Sequence, residues 1–289
     1  GDASPHTVNA YRRHVGAFAA WCAGHGVKPD LATAGDIERY RRDLIDAGRY
    51  ERSTIGAKLQ AVTRFYTAMQ WRGLRPDNPA AGVRAPRERT DKAERVKFLP
   101  LPGLQRVLLL PETGTPTGAR DRAAMLLMGM HGLRVAEVAA LDLADVDVSA
   151  EPGRVVIRHG KGDKLRTVYL TPKTAAAVRS WVAMRPAGGS ALFVALDCQH
   201  AGGRLSVRNL RRRIDGYLQA AGLKADGVSC HSLRHSFATW ATYGGASLTA
   251  VSASLGHASL TTTGTYAKVA DKIKQNPAAY LEKLLDVSD

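Results

Sequence analysis

Apolar residues recur every three to four positions through the first part of the chain. Val8, Tyr11, Val15, Phe18 and Cys22 share one helical face, and Ser4-Pro5 ahead of them places an N-cap before proline at the first helical position. Gly24 to Gly26 ends that helix. A second carries Ile37, Tyr40 and Leu44 and stops at Gly48. A third starts at a Ser53 cap and runs through Ile55, Leu59, Val62, Tyr66 and Met69 to Gly73, after which Asn78-Pro79 opens a short fourth. These predict a helical bundle over residues 1–85. The periodicity then vanishes, and the mixed charges of residues 86–97 predict an interdomain linker.

Beyond it, Leu101 to Leu110 and Ala119 to Met130 return to helical spacing, and Gly132 precedes a helix bearing Arg134, Glu137 and Val138. After Leu141 the period shortens. Val146 and Val148, Val155 to Ile157, and Thr167 to Leu170 are short β-branched runs, the last two joined by a Gly160-Lys161-Gly162-Asp163 turn, which predicts a small three-stranded antiparallel sheet. Helices resume at Thr171-Pro172, at Ser206 and around His231. Pro277 opens a last one with Tyr280, Leu281, Leu284 and Leu285 as an apolar stripe. The expected fold class is therefore mainly α with a small antiparallel β-sheet: an N-terminal helical bundle, then an α+β domain over residues 98–289.

Charge narrows the choice of partner. The 289-residue chain carries a formal net charge of +15, made of +5 up to Arg84, +2 from there to Lys97 and +8 beyond. An excess of this size spread over both halves implies a polyanionic partner, and nucleic acid fits best. The outward-facing candidates are Arg12, Arg13, Arg41, Arg42, Lys58 and Arg64 on the bundle, and Arg208, Arg211, Arg212 and Arg213 on the helix opened by Ser206. They either form a solvated surface or contact phosphates. Three widely spaced cysteines, Cys22, Cys198 and Cys230, disfavour a disulfide framework, and no stretch reads as a signal peptide or membrane span. A cytoplasmic, nucleoid-associated protein with no membrane partner is expected.

The chemistry concentrates in His231-Ser232-Leu233-Arg234-His235, then Leu255-Gly256-His257, then Tyr266. His231 and Arg234 are three apart on one helical face, so both could reach a single anion. Arginine offers phosphate a planar fork of donors, histidine trades a proton near neutral pH, and tyrosine can serve as a covalent nucleophile. A metal reading competes, with His231 and His235 at i and i+4 and Cys230 and His257 as further ligands. No Glu follows His231 in the zinc-protease pattern, however, and no cysteines are paired. A metal nuclease would need clustered carboxylates, and Asp142, Asp145 and Asp147 sit at a strand edge suited to surface duty. The Gly160-Lys161-Gly162 turn lacks the spacing of a phosphate-cradling P-loop.

In order and spacing, these residues resemble the tyrosine recombinase (phage integrase) family, with its His-x-x-Arg pair, Leu-Gly-His motif and nearby tyrosine. The flanking Leu233 and His235 agree, as does the run from Ala258 to Thr263 leading into Thr265-Tyr266. So does an upstream Gly132-Leu133-Arg134-Val135-Ala136-Glu137, where the family has its first arginine. The resemblance implies a core-binding domain that clamps the face of the duplex opposite the catalytic domain, and a layout like compact Xer-type resolvases or mobile-element integrases. It implies that Tyr266 forms a 3′-phosphotyrosine, that Arg134 and Arg234 hold the phosphate oxygens, and that Glu137 orients the site. His231 would act as general base, and His257 as a hydrogen-bond donor to the phosphate. Lys161, with Lys164 as substitute, would protonate the leaving 5′ oxygen. No cofactor, metal or ATP would be required. The partners implied are double-stranded DNA with specific target sites, further copies forming a tetramer on paired sites through the last helix, and accessory proteins. Two alternatives keep different functions: a type IB topoisomerase, which would relax DNA without site preference, and a non-catalytic DNA-binding regulator, which would have lost Arg134, Arg234 or Tyr266.

Overall fold

A computed structural model describes residues 5–87, 91, 93–158, 165–197, 201–257 and 259–275. The chain divides into two compact units, Gly1–Thr90 and Asp91–Asp289. Lys161, Lys164, Cys198, Ala258, the hairpin turn from Gly160 to Asp163 and the expected last helix after Pro277 all lie outside the described residues.

The first unit is built from α1 (Pro5–Gly24), α2 (Ala34–Asp46) and α3 (Arg52–Trp71). Thr33 caps α2 through a reciprocal box with Asp36, which satisfies two backbone donors that the first turn would otherwise leave open. Phe18, Cys22, Ile37, Tyr40, Leu59, Val62 and Tyr66 form its core, and the Tyr66 hydroxyl donates to Pro29 O at 2.7 Å. Three expectations change here. The Asn78-Pro79 segment is a turn, because Asn78 Oδ1 accepts from Ala80 N and its carbonyl from Ala81 N, closing the chain locally. The first α3 bond closes on Glu51 O rather than at a Ser53 cap. Lys58 is buried: it falls in the same helical stripe as Ile55, Leu59 and Val62, and its ammonium lies 4.7 Å from the Tyr50 ring centroid. Arg12, Arg13, Arg42 and Arg64 are exposed, while Arg41 donates to Arg84 O at 2.6 Å.

The second unit contains α4 (Leu101–Leu109), α5 (Pro116–Gly129), α6 (Val135–Ala140), β1 (Val146–Asp147), β2 (Arg154–Ile157), β3 (Arg166–Tyr169), α7 (Pro172–Met184), α8 (Val207–Ala220), α9 (Cys230–Tyr243), α10 (Leu248–Leu255) and α11 (Leu260–Lys274). The sheet has order β1-β2-β3 and is antiparallel throughout, with Val155 opposite Val146 on one side and Val168 on the other. Leu127, Met128, Leu133, Val138, Val155, Trp181, Phe193, Leu210 and Leu233 form one continuous core beneath it. Asp145, expected at the surface, is buried, with one oxygen on the backbone N–H of Asp142 and the other on Arg158.

Helix α8 docks through a charged joint. Arg213, expected to point outward, turns in because Asp121 of α5 holds it. The carboxylate of Asp121, 1% exposed, also accepts from Arg120 Nε at 3.0 Å and from the Tyr217 hydroxyl at 3.0 Å. Two guanidiniums share this buried anion, so neutralising it strands both. Asp121→Asn is expected to lower unfolding stability by about 3 kcal/mol or more. Asp215→Asn, which breaks the exposed pair with Lys224, is expected to lower it by less than about 1 kcal/mol. Urea unfolding of both variants beside the parent measures the contrast, and equal small losses would refute it.

Candidate active site

Two turns, at Gly132 and Gly256, bring the candidate residues together. Gly132 follows α5 in the left-handed conformation, φ +73°, donating to Met128 O, while Leu133 N reaches Leu127 O. A Cβ at Gly132 would lie 2.5 Å from Phe237 and 2.7 Å from Leu255, so the Gly-Leu-Arg motif reflects close packing as well as backbone shape. Arg134 then occupies the N-cap position of α6 instead of its first turn. Its Nη1 donates to Glu137 Oε1 at 2.8 Å and its backbone N–H to Oε2 at 2.7 Å.

Glu137 has a second cationic partner that sequence reasoning missed. Arg166, at the start of β3, donates from Nη1 to Oε1 at 3.0 Å and from Nη2 to Oε2 at 2.8 Å, and its Nε bonds Ser254 O at 3.1 Å. Burial alone would raise the Glu137 carboxyl, but hydrogen bonds from Arg166 and the Arg134 backbone hold it below its ordinary value. One signal for Arg166 was available: it shares the inward face of β3 with Val168, an unusual place for a charge. The Gly256 turn, φ +63°, closes over the same guanidinium, which a Cβ there would meet at 2.7 Å.

Arg234 is 6% exposed on α9. It donates from Nη1 to Gly132 O and from Nη2 to Leu255 O at 2.8 Å and His257 Nε2 at 3.0 Å. Burial, with Arg134 close by, pushes its pKa down to about 10, still charged at neutral pH. Because Nε2 of His257 accepts, the ring's proton lies on Nδ1, which donates to the fully buried Thr263 Oγ1 at 2.9 Å. His257 must therefore change tautomer or gain a proton before Nε2 can donate to a phosphate.

Tyr266 projects from α11 and is 5% exposed. Its ring stacks on His257 with centroids 6.4 Å apart, and it belongs to a small apolar cluster with Ala238, Val251 and Leu255, against which Val96 and Phe237 pack. The segment before α4 steadies α11 through Asp91–Lys268 at 3.7 Å and Glu94–Lys272 at 3.2 Å. Burial raises the phenol pKa, against a lowering influence of Arg234 and Arg134. Its hydroxyl lies 2.8 Å from Nδ1 of His235, a residue seen in the sequence only as a flanking match or a metal ligand. His231 is solvent-exposed, one helical turn away, with Nδ1 3.7 Å from Cys230 Sγ. Burial of its inner side and then Arg211, Arg234 and Arg134 lower its pKa. Two of the imagined metal ligands thus face different partners. Among the described residues, no three His, Cys, Asp or Glu side chains gather as a metal site.

Of the basic face of α8, Arg208, Arg211 and Arg212 are exposed and line one shallow basin with Asp215. Arg211 also reaches toward Cys230 and His231. No helix among the described residues is long and apolar enough to cross a membrane.

The profile of the phage integrase family matches residues 98–272, and that of the phage integrase N-terminal SAM-like domain matches residues 1–73. The chain is a tyrosine recombinase of the phage integrase family. It is 33% identical over 291 residues to the tyrosine recombinase XerC of Pelobacter propionicus, covering 99% of this chain and 89% of that one. Against XerC of Neisseria meningitidis the identity is 35% over 273 residues, covering 92% and 86%. In fold this recombinase is similar to the XerH site-specific recombinase bound to palindromic difH substrate in its post-cleavage complex. The TM-score there is 0.77 at 20% identity, with coverage of 95% and 80%. A lambda integrase dimer bound to a COC' core site gives 0.68 at 17%, with 90% and 91%. The enzyme is a site-specific tyrosine recombinase, and its relatives favour neither the topoisomerase nor the regulator alternative.

His131, His235 and His257 each have a pKa pushed down to about 4, burial being the main cause. They are neutral in the folded recombinase and charge in the unfolded chain near pH 6.5. The unfolded state therefore binds more protons between pH 6.5 and 4, and stability is lost as pH falls through that window. The melting temperature, followed by circular dichroism, is expected to drop steadily from pH 7 to pH 5. A flat profile would contradict neutral buried rings.

Proposed function

We propose that this recombinase cleaves and rejoins double-stranded DNA at specific sites through a 3′-phosphotyrosine on Tyr266. The observation that carries the proposal is the convergence on Tyr266 of Arg134, Arg234 and His257 from segments far apart in the chain, with the exposed His231 one turn before His235 and within the field of both arginines. A phenol with the ordinary pKa of about 10 pays roughly 4 kcal/mol to ionise at pH 7, and burial makes this larger. Proton removal must accompany attack. Arg134 and Arg234 then stabilise the two non-bridging oxygens as charge builds on phosphorus. Arg234 has committed three of its five N–H donors to the protein wall, which leaves two for a phosphate.

In the same reading His231, open to solvent and held neutral, exchanges protons at the phosphate, and His257 hydrogen-bonds it after releasing Arg234. Lys161, ahead of Lys164, protonates the departing 5′ oxygen. The phosphotyrosine conserves the broken ester, so a 5′-hydroxyl can reseal the strand without ATP. Residues 1–85 serve as the core-binding domain, 86–97 as the linker and 98–289 as the catalytic domain. Phosphate contacts come from Arg12, Arg13, Arg42 and Arg64 on the first and from Arg208, Arg211 and Arg212 on the last. Lys58 and Arg213 are left out because both are held inside, and Arg41 because its guanidinium is tied to Arg84 O. DNA is also present in the complexes of XerH and lambda integrase whose folds this chain shares. Four copies on paired sites complete the exchange, with accessory proteins acting where the assembly needs them.

Covalent trapping tests this. The parent protein, incubated without metal on a nicked, randomised duplex library and denatured in detergent, is expected to carry an attached strand, and Tyr266→Phe none. Arg134→Lys and Arg234→Lys are expected to slow adduct formation by about 10²-fold or more. Equal adducts from parent and Tyr266→Phe would remove Tyr266 as the nucleophile.

A further inference from the structure

Deprotonating Tyr266 needs an acceptor, and the sequence pointed to His231. The geometry points elsewhere: we infer that His235 is the catalytic base of strand cleavage, holding the Tyr266 hydroxyl and receiving its proton. The inference rests on the phosphotyrosine reading above and adds a residue to it. Among the described residues, the hydrogen bond of the Tyr266 hydroxyl is the 2.8 Å contact to His235 Nδ1. The two rings are tilted by 39° with centroids 5.9 Å apart, so the contact is made edge-on by the polar atoms. His231 lies one turn back on α9, about 6 Å along the axis, and its Nδ1 is directed to Cys230.

The protonation states fit the role. The His235 ring is neutral, since burial first, and then His231 and Arg234 nearby, disfavour imidazolium. A neutral imidazole beside a phenol accepts at Nδ1 from the better donor, the hydroxyl. Its surroundings are His231 and Arg234 on its own helix, Tyr266 on α11 and His257 at the turn before it. In the free protein burial, with Arg234 nearby, makes His235 a weak base. A bound phosphodiester reverses the sign of the local field, because its anion faces Arg134 and Arg234 and gains charge as the phosphorane forms. An imidazolium then forms next to added negative charge instead of uncompensated arginine. In the step itself the Tyr266 Oη–P bond forms and the P–O5′ bond breaks. The hydroxyl proton passes to His235 Nδ1, and the departing 5′ oxygen takes a proton from the ammonium acid invoked above. Resealing runs the same transfers backwards, with His235 returning the proton to Tyr266.

The test uses the full chain and the duplex that the parent protein itself labels in the trapping experiment. His235→Asn keeps an acceptor near the Nδ1 position but cannot take up a proton, and His235→Gln is the second variant should the first fail to melt cooperatively. Single-turnover adduct formation is expected to fall by about 10²-fold or more, while DNA binding by fluorescence anisotropy changes by less than about threefold. The same loss is expected on a duplex with a bridging 5′-phosphorothiolate, whose thiolate leaves without an acid. Adduct formation at the parental rate in either folded variant overturns the inference. So does recovery on the phosphorothiolate, which would place His235 on the leaving-group side. Absence of adduct from the parent itself would overturn the phosphotyrosine reading, and this one with it.

Discussion

The carboxylate of Glu137 is the interaction on which the site depends. Arg134, Arg166 and Arg234 lie close enough to influence one another, and like charges brought together under partial burial repel strongly. Glu137, 6% exposed, accepts two donors on each oxygen and so fixes Arg134 and Arg166 at once. Four charge-assisted hydrogen bonds are what allow an ionised carboxylate to remain buried. The arginine they leave partly open to solvent is Arg134, the one assigned to phosphate. Arg166 takes the other side and ties the carboxylate to β3 and to Ser254.

Arg234 solves the same problem without an ion pair of its own among the described residues. Its charge is met by backbone carbonyls at the ends of two segments, Gly132 and Leu255, and each segment continues into a candidate residue, Arg134 or His257. Both connecting turns contain a left-handed glycine packed against side chains that a Cβ would strike. Backbone shape, cation binding and placement of the next functional residue are therefore one constraint. This explains why the motifs read as short fixed strings rather than as isolated charged positions.

Tyr266, the proposed nucleophile, is held by neutral groups. His257 stacks on the Tyr266 ring and His235 bonds its hydroxyl, and both rings stay uncharged because burial and the nearby arginines oppose protonation. A single arrangement thus keeps two arginines positive and two imidazoles neutral, which is the separation of charge that the proposed acid–base chemistry on an anion requires.

The sequence by itself determined most helices of the described residues and the three antiparallel strands, and its resemblance to the family's motifs singled out Arg134, Glu137, His231, Arg234, His257 and Tyr266 as the candidate set. The helices and strands rest on spacing within a turn or strand, where neighbours along the chain are neighbours in space, and the candidate set rests on the order of its motifs along the chain. Tertiary structure decided what local spacing cannot carry. Arg166 meets a carboxylate 29 residues away, and His235 meets a hydroxyl 31 residues away, across turns whose geometry sets the reach. It also turned Lys58 and Arg213 inward, where an aromatic ring and a buried aspartate hold their charges, although helical periodicity alone placed them on the surface. Which histidine faces the tyrosine is a matter of angstroms between packed helices. Only the folded chain supplies that distance.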